Sequence, residues 1–259
     1  MVNLIDDETP ISARRFGGVA RLYGDAAYKR FQAAQVCVIG IGGVGSWAAE
    51  ALARSAIGKI TLIDLDNISE SNTNRQIHAL GDEYGKAKVT AMRERILSIN
   101  PACEVTCVED FVDAENLPDL LGRGYDFVLD AIDQTRVKAA LIAYCKKQNI
   151  KLVTTGSAGG QLDPTRIKVA DLSKTIQDPL AARLRSLLRK DYGFPRSGSF
   201  GVECVFSEEP LRYPEQTKPE QACDVDTAPQ GLNCAGFGSS VCVTAVFGFV
   251  AAARVLAGL

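Results

Sequence analysis

The chain lacks the cysteine pairing that a structural zinc site needs. Its eight cysteines (Cys37, Cys103, Cys107, Cys145, Cys204, Cys223, Cys234 and Cys242) include no C-x-x-C pair, which argues against a zinc clamp of that kind. Histidine is all but missing. The sole one, His78, reads as a satisfied structural side chain rather than a catalytic base. There is no basic excess: the net charge is −2 and the pI about 5.6, so any RNA contact has to come from a local patch. The opening stretch Met1 to Pro10 is acidic, unlike a secretory leader, and scattered thiols suit a reducing cytoplasm. Nor is there a clean hydrophobic span. Val241 to Leu259 is mostly apolar, but Gly248 and Arg254 interrupt it. The expectation is a packed core or subunit-interface helix and no stable membrane span, with peripheral membrane association left open.

What remains is an ordinary globular composition, 46% hydrophobic and 23% charged over 259 residues, enough for one large domain with a full core. Asp25 to Ala34 reads as a helix after an arm, Ser12 to Tyr23. Val36 to Ile39 is a strand, Val44 to Ser55 a helix, and Lys59 to Leu65 a strand. A polar loop, Asp66 to Gly85, precedes a helix from Lys86 to Ile99 that Asn100-Pro101 stops. Strands come next at Glu104 to Val108, Phe127 to Asp130 and Leu152 to Thr155, with a helix from Asp133 to Gln148. Strand alternating with helix predicts an α/β fold: a Rossmann-like, doubly wound, mostly parallel sheet. After about residue 160 the pattern becomes a C-terminal α+β extension, with strands at Arg166 to Ala170 and Val202 to Phe206. A basic helix spans Pro179 to Asp191. Ser207 to Gln230, with four prolines, reads as a mobile loop.

The first chemical motif is Gly40-Ile41-Gly42-Gly43-Val44-Gly45-Ser46, after a strand and opening a helix. Glycines let the backbone approach a phosphate, and the helix N-terminus offers free N–H groups. Asp64 ends the next strand, where a carboxylate accepts from ribose hydroxyls. A dehydrogenase would show the same loop and acid. Residues beyond Asp64 separate the two activities: Asp66, Asn72, Arg75 and Gln76, then Lys86 at a helix start, then Asp133 just past a strand end. Fixed cations suit attack at the α-phosphate of ATP, where charge gathers on phosphate oxygens and pyrophosphate leaves. A carboxylate at Asp133 can hold Mg²⁺, or cap the next helix.

In this order the residues resemble the ubiquitin-activating-enzyme superfamily, and within it the small bacterial adenylating enzymes related to the thiamine- and molybdopterin-pathway activators. The resemblance implies that residues 1–160 form an ATP-binding adenylation domain with an N-terminal arm. Residues 161–259 would be a substrate-binding and dimerisation extension of it. It implies that the glycine loop cradles ATP, Asp64 holds ribose, and Lys86 meets the phosphates. Asn72 and Arg75 would polarise the α- and β-phosphates, and Asp133 would bind Mg²⁺. It also implies a homodimer in which Arg15 or Arg21 of the arm enters the partner's site.

A narrower likeness points to the tRNA-modifying branch. It rests on Arg15-Phe16-Gly17-Gly18, Asn74-Arg75-Gln76-Ile77-His78-Ala79-Leu80, Thr154-Thr155-Gly156 and Lys174-Thr175-Ile176-Gln177-Asp178-Pro179-Leu180. By that likeness the substrate is tRNA carrying threonylcarbamoyladenosine, dehydrated through an adenylate with release of AMP and pyrophosphate. Arg183, Arg185, Arg189, Lys190 and Arg196 are candidate tRNA contacts, or equally a solvated face. Cys234 sits among glycines before the last helix, as a thiol serving a sulfur-transfer partner or as a small packing residue. Two rival activities share the loop: adenylation of a ubiquitin-like sulfur carrier, and nicotinamide-dependent hydride transfer.

Overall fold

Short apolar runs, each ended by a glycine or a polar turn, make the strands of one sheet. They are β1 (Gln35–Ile39), β2 (Lys59–Ile63), β3 (Glu104–Val108), β4 (Phe127–Asp130), β5 (Leu152–Thr155), β6 (Ile167–Asp171) and β7 (Glu203–Ser207). The computed structural model describes residues 11–213 and 237–259. The spatial order is β3-β2-β1-β4-β5-β7-β6. All neighbours run parallel except β6, which pairs antiparallel with β7 at the edge. The C-terminal part therefore extends the same sheet.

The helices are α1 (Ile11–Tyr23), α2 (Asp25–Ala33), α3 (Gly45–Arg54), α4 (Lys88–Ile99), α5 (Leu117–Leu121), α6 (Thr135–Gln148), α7 (Pro179–Asp191) and α8 (Val241–Gly258). They cover both faces, as a parallel sheet requires. Alternation along β1 shows the division. Val36 and Val38 join the core under α3, α4 and α8, while Cys37 and Ile39 join the opposite core with Val128 and Leu141. A third cluster joins α6, α7 and β7 through Ile142, Leu184, Leu188 and Phe206.

Several boundaries differ from the sequence expectation. The arm is helical as α1. The short helix α5 is absent from the sequence expectation, because a helix so short carries too little periodicity. The helix expected from Lys86 begins at Lys88, since Gly85 takes a positive φ and Lys86 turns back to Glu83. The proline-rich stretch and Cys234 fall largely or wholly within 214–236, outside the described residues.

The apolar tail is α8. It packs against α3 and against β4, β5 and β7, burying Val243, Phe247, Ala251 and Val255. By length and composition it is the one helix, among the described residues, that passes as a membrane span. Gly248 permits the contact with α3: a Cβ there would stand 2.5 Å from the Val44 carbonyl oxygen, closer than any real side chain.

Candidate active site

In doubly wound sheets the crevice opens at the carboxyl ends of the strands where winding reverses. Here that point lies between β1 and β4, and a cleft of about 480 Å³ occupies it, within the usual range for small-molecule sites. Its floor is the glycine loop between β1 and α3. Gly40 has φ +85°, and a Cβ on Gly45 would sit 1.8 Å from the Gly40 carbonyl oxygen. The turn thus closes on itself in a way that only glycine allows. The loop leaves α3 pointing its N-terminus into the cleft, with Ser46 N–H bonded to the Gly42 carbonyl at 3.1 Å.

Asp64, just past β2, fixes the loop from the side. One carboxylate oxygen accepts from Ile41 N–H at 2.6 Å, the other from Asp66 N–H at 2.9 Å. Burial pushes its carboxyl above the usual range, and the nearby Lys88 cation opposes that shift. Lys88 itself is only 6% exposed. Its Nζ stands 2.6 Å from Asp66 Oδ2 and 3.8 Å from Asp64 Oδ1.

Arg75 and Asp133 form the opposite side. The Arg75 guanidinium donates to the Ser71 carbonyl at 2.8 Å and to Asn74 Oδ1 at 2.9 Å, and Trp47 Nε1 holds the Arg75 carbonyl at 2.9 Å. Burial lowers the guanidinium pKa, and the Asp133 charge raises it, which places the two charges in each other's field. Asp133 comes after β4 on a loop secured from beneath by a fully buried pair. Lys138 Nζ lies 2.9 Å from Asp130 Oδ2 and donates to the Ile132 carbonyl at 2.9 Å. Thr154 completes the cluster, donating to Asp130 at 2.7 Å.

The cleft wall thus gathers Gly40, Gly42, Gly43, Asp64, Asp66, Arg75, Gln76 and Asp133 of the residues singled out from sequence. It does not gather Lys86, and the expectation for that residue is corrected. Lys86 Nζ pairs with Glu94 at 2.5 Å and Glu83 at 3.1 Å, hydrogen bonds that raise its pKa. The lysine that lines the cleft is Lys88, two residues on. Gly45 and Ser46 lie behind the loop rather than on its surface. Asn72 is buried and its Oδ1 accepts from Ser69 N–H at 3.1 Å, closing a capping box on the turn that carries Arg75. Sequence reasoning also missed Phe111, Thr155, Ser239 and Thr244 in the lining. Only Lys88 had a local signal, the Lys86-Ala87-Lys88 pair.

His78 is buried, and neither ring nitrogen has a hydrogen-bond partner among the described residues. Burial first, then the Lys88 and Arg95 cations, lower its pKa to about 4. Arg15 donates to the Ser98 and Ile99 carbonyls at 2.8 and 2.6 Å, tying α1 to the end of α4, while Arg21 is exposed. On α7, Arg185 bonds the Thr175 hydroxyl. Arg189 donates to the Pro195 carbonyl at 3.3 Å and lies 5.2 Å over the Phe200 ring. Arg183, Lys190 and Arg196 are exposed.

Comparison with known proteins adds to this geometry. The pattern of the ThiF family matches residues 17–259. The chain is 56% identical over 247 residues to the tRNA threonylcarbamoyladenosine dehydratase of Escherichia coli K12, covering 94% of this chain and 92% of that protein. Crystal structures of the Escherichia coli dehydratase with ATP and with AMP each superpose with a TM-score of 0.86 at 54% identity. Each alignment covers 96% of this chain and 95% of that one.

Proposed function

This chain belongs to the ThiF family, and on that premise we propose that Arg75, Lys88 and Asp133 act together on the inner phosphate of a bound ATP. The reaction is the ATP-dependent dehydration of threonylcarbamoyladenosine in tRNA. The observation that carries the assignment of roles is the single cleft that holds the glycine cradle, two cations and Asp133.

The chemistry derives from that arrangement. A threonyl carboxylate oxygen forms a bond to the α-phosphorus while the bond to the bridging oxygen of pyrophosphate breaks. Pyrophosphate departs with the electron pair. Arg75 and Lys88 neutralise the charge that develops on the phosphate oxygens, an effect strengthened by their burial. The glycine loop and the α3 N-terminus hold the triphosphate. Asp64, with Asp66 and Gln76 beside it, accepts from the ribose. An atom of the neighbouring carbamoyl group then attacks the activated carbonyl carbon, and its proton passes to water. AMP leaves with the former carboxylate oxygen, so one water is lost in sum. Ring closure is intramolecular and gains from proximity, so no protein nucleophile is needed.

Among the described residues no group of three or more His, Cys, Asp or Glu could hold a metal alone. A single acid at Asp133 fits Mg²⁺, which keeps water and phosphate oxygens as its other ligands. When bound it supplies positive charge to the departing pyrophosphate.

Residues 161–259 would present the tRNA and subunit surfaces. The cations Arg183, Lys190 and Arg196 are better placed for phosphate contact than Arg185 and Arg189, which are engaged within the fold. In the homodimer, Arg21 is the better candidate for the partner's site, because Arg15 is occupied at α4.

The test is incubation of the purified protein with ATP and tRNA carrying threonylcarbamoyladenosine, then mass analysis of nucleosides. Loss of one water with stoichiometric AMP is expected. ATP-independent loss of water, or AMP formation indifferent to the modified nucleoside, would remove this reading.

A further inference from the structure

The cleft has a second helix end. Ser239 and Thr244, which flank and enter the first turn of α8, line it with Gly43 and Arg75. Ser240 caps that turn, its hydroxyl oxygen accepting from Cys242 N–H at 3.3 Å. The 18 residues of α8 put the positive end of a long helix dipole there. The turn is held in place from two directions. Asn74 Nδ2 donates to the Ser239 carbonyl at 2.9 Å and approaches its hydroxyl at 3.3 Å, and Gly159 forms a bridge with Ser239.

Thr244 adds an independent observation. It is 3% exposed, yet its Oγ1 has no hydrogen-bond partner among the described residues. A helical threonine hydroxyl ordinarily bonds back to the carbonyl four residues earlier. Here that carbonyl, on Ser240, accepts the Thr244 N–H at 3.0 Å and not the hydroxyl. An unpartnered buried donor on a cleft wall is unfavourable until something fills it.

Position narrows what that something is. A Cβ on Gly43 would lie 3.2 Å from Arg75 Cγ and 3.5 Å from Thr244 Cβ. Asn74 joins the Arg75 guanidinium to Ser239. The first turn of α8, Thr244 and Arg75 therefore meet beside Gly43 on one stretch of the cleft wall, with Asp64 also on the wall to take the ribose. A donor, a helix-dipole end and a cation on one stretch of wall select an anion.

We propose that the first turn of α8, through Thr244 Oγ1, seats the carboxylate of the acyl substrate beside Arg75, presenting it to the α-phosphate. This rests on the adenylation reading above and makes Thr244 a substrate-binding residue for the carboxylate-bearing group of the modified nucleoside. The other anion available is a phosphate of ATP, and the experiment separates the two.

Thr244→Val removes the hydroxyl and keeps the shape. Binding of ATP and of the free nucleoside threonylcarbamoyladenosine would be measured by calorimetry on the full chain, with KM for the modified tRNA measured in parallel. The expected result is a roughly tenfold weaker nucleoside Kd and a similar rise in KM, the size of one lost hydrogen bond. ATP affinity should be unchanged and Thr244→Ser should recover the loss. The neutral carboxamide analogue of the nucleoside should lose less affinity on Thr244→Val than the carboxylate does, because its bond to the hydroxyl is not charge-assisted. Weaker ATP binding with unchanged nucleoside binding would overturn the proposal in favour of a phosphate, and equal binding of both ligands would overturn it outright. If wild type released no AMP, the adenylation reading would fail, while the nucleoside calorimetry would still judge the subsite.

Discussion

Replacing Lys88 by alanine should cost the enzyme most of its adenylation rate, whereas replacing Lys86 should cost little. Lys88 Nζ lies 2.6 Å from Asp66 and 3.8 Å from Asp64 inside the cleft, with 6% of the residue exposed. A preorganised donor aimed at developing charge in such a place is worth about 3–4 kcal/mol, or roughly 10²–10³ in kcat. A second effect comes from Asp64. Burial raises its pKa and Lys88 restrains that rise, so the Asp64 carboxyl should titrate higher still in Lys88→Ala. Its charged form would then be lost sooner as pH falls, and the acid limb of kcat/KM should move to higher pH. Lys88→Arg keeps the charge in a site with little room and should recover part of the rate. Lys86 serves Glu83 and Glu94, and Lys86→Ala should change the rate by less than about twofold, as for other solvent-facing pairs. The assay is AMP release with modified tRNA, with circular dichroism to confirm folding. If Lys86→Ala abolished AMP release while Lys88→Ala retained it, the reasoning from burial would be refuted.

Three further outcomes are expected. Asp133→Asn should lower AMP release by at least about 10²-fold with the fold intact, since it removes the acid facing Arg75; activity within about twofold of wild type would discard its assigned role. Lys138→Met leaves Asp130 as a buried charge without its cation, so the urea midpoint should fall by an amount equivalent to about 3–5 kcal/mol, and an unchanged midpoint would contradict that. His78 is held near a pKa of about 4 against an ordinary 6.5. Because the unfolded chain protonates first, stability should decline as pH falls from about 6.5 towards 4, by up to about 3 kcal/mol. Denaturation of His78→Phe across that interval should show a flatter dependence, and an identical slope would mean that other groups carry the effect.

Local chemistry made much of this protein legible in its sequence. The glycine loop, the acid at the end of β2, and alternating apolar strands and helices each depend on neighbours a few residues away. These features were enough to indicate the sheet and the position of its crevice. Tertiary structure decided whatever depended on distant partners. Which of Lys86 and Lys88 faces the cleft turns on where α4 begins and on the carboxylate of Asp66, 22 residues away, and two lysines so close in sequence have no local property that ranks them. Arg185 and Arg189 look like a free basic face until Thr175, Pro195 and Phe200 are seen to engage them. The entry of α8 into the site was equally hidden, because it requires the chain's last helix to return across β4, β5 and β7. Periodicity reports that a helix buries a face, but its first turn acquires meaning only from what it packs beside.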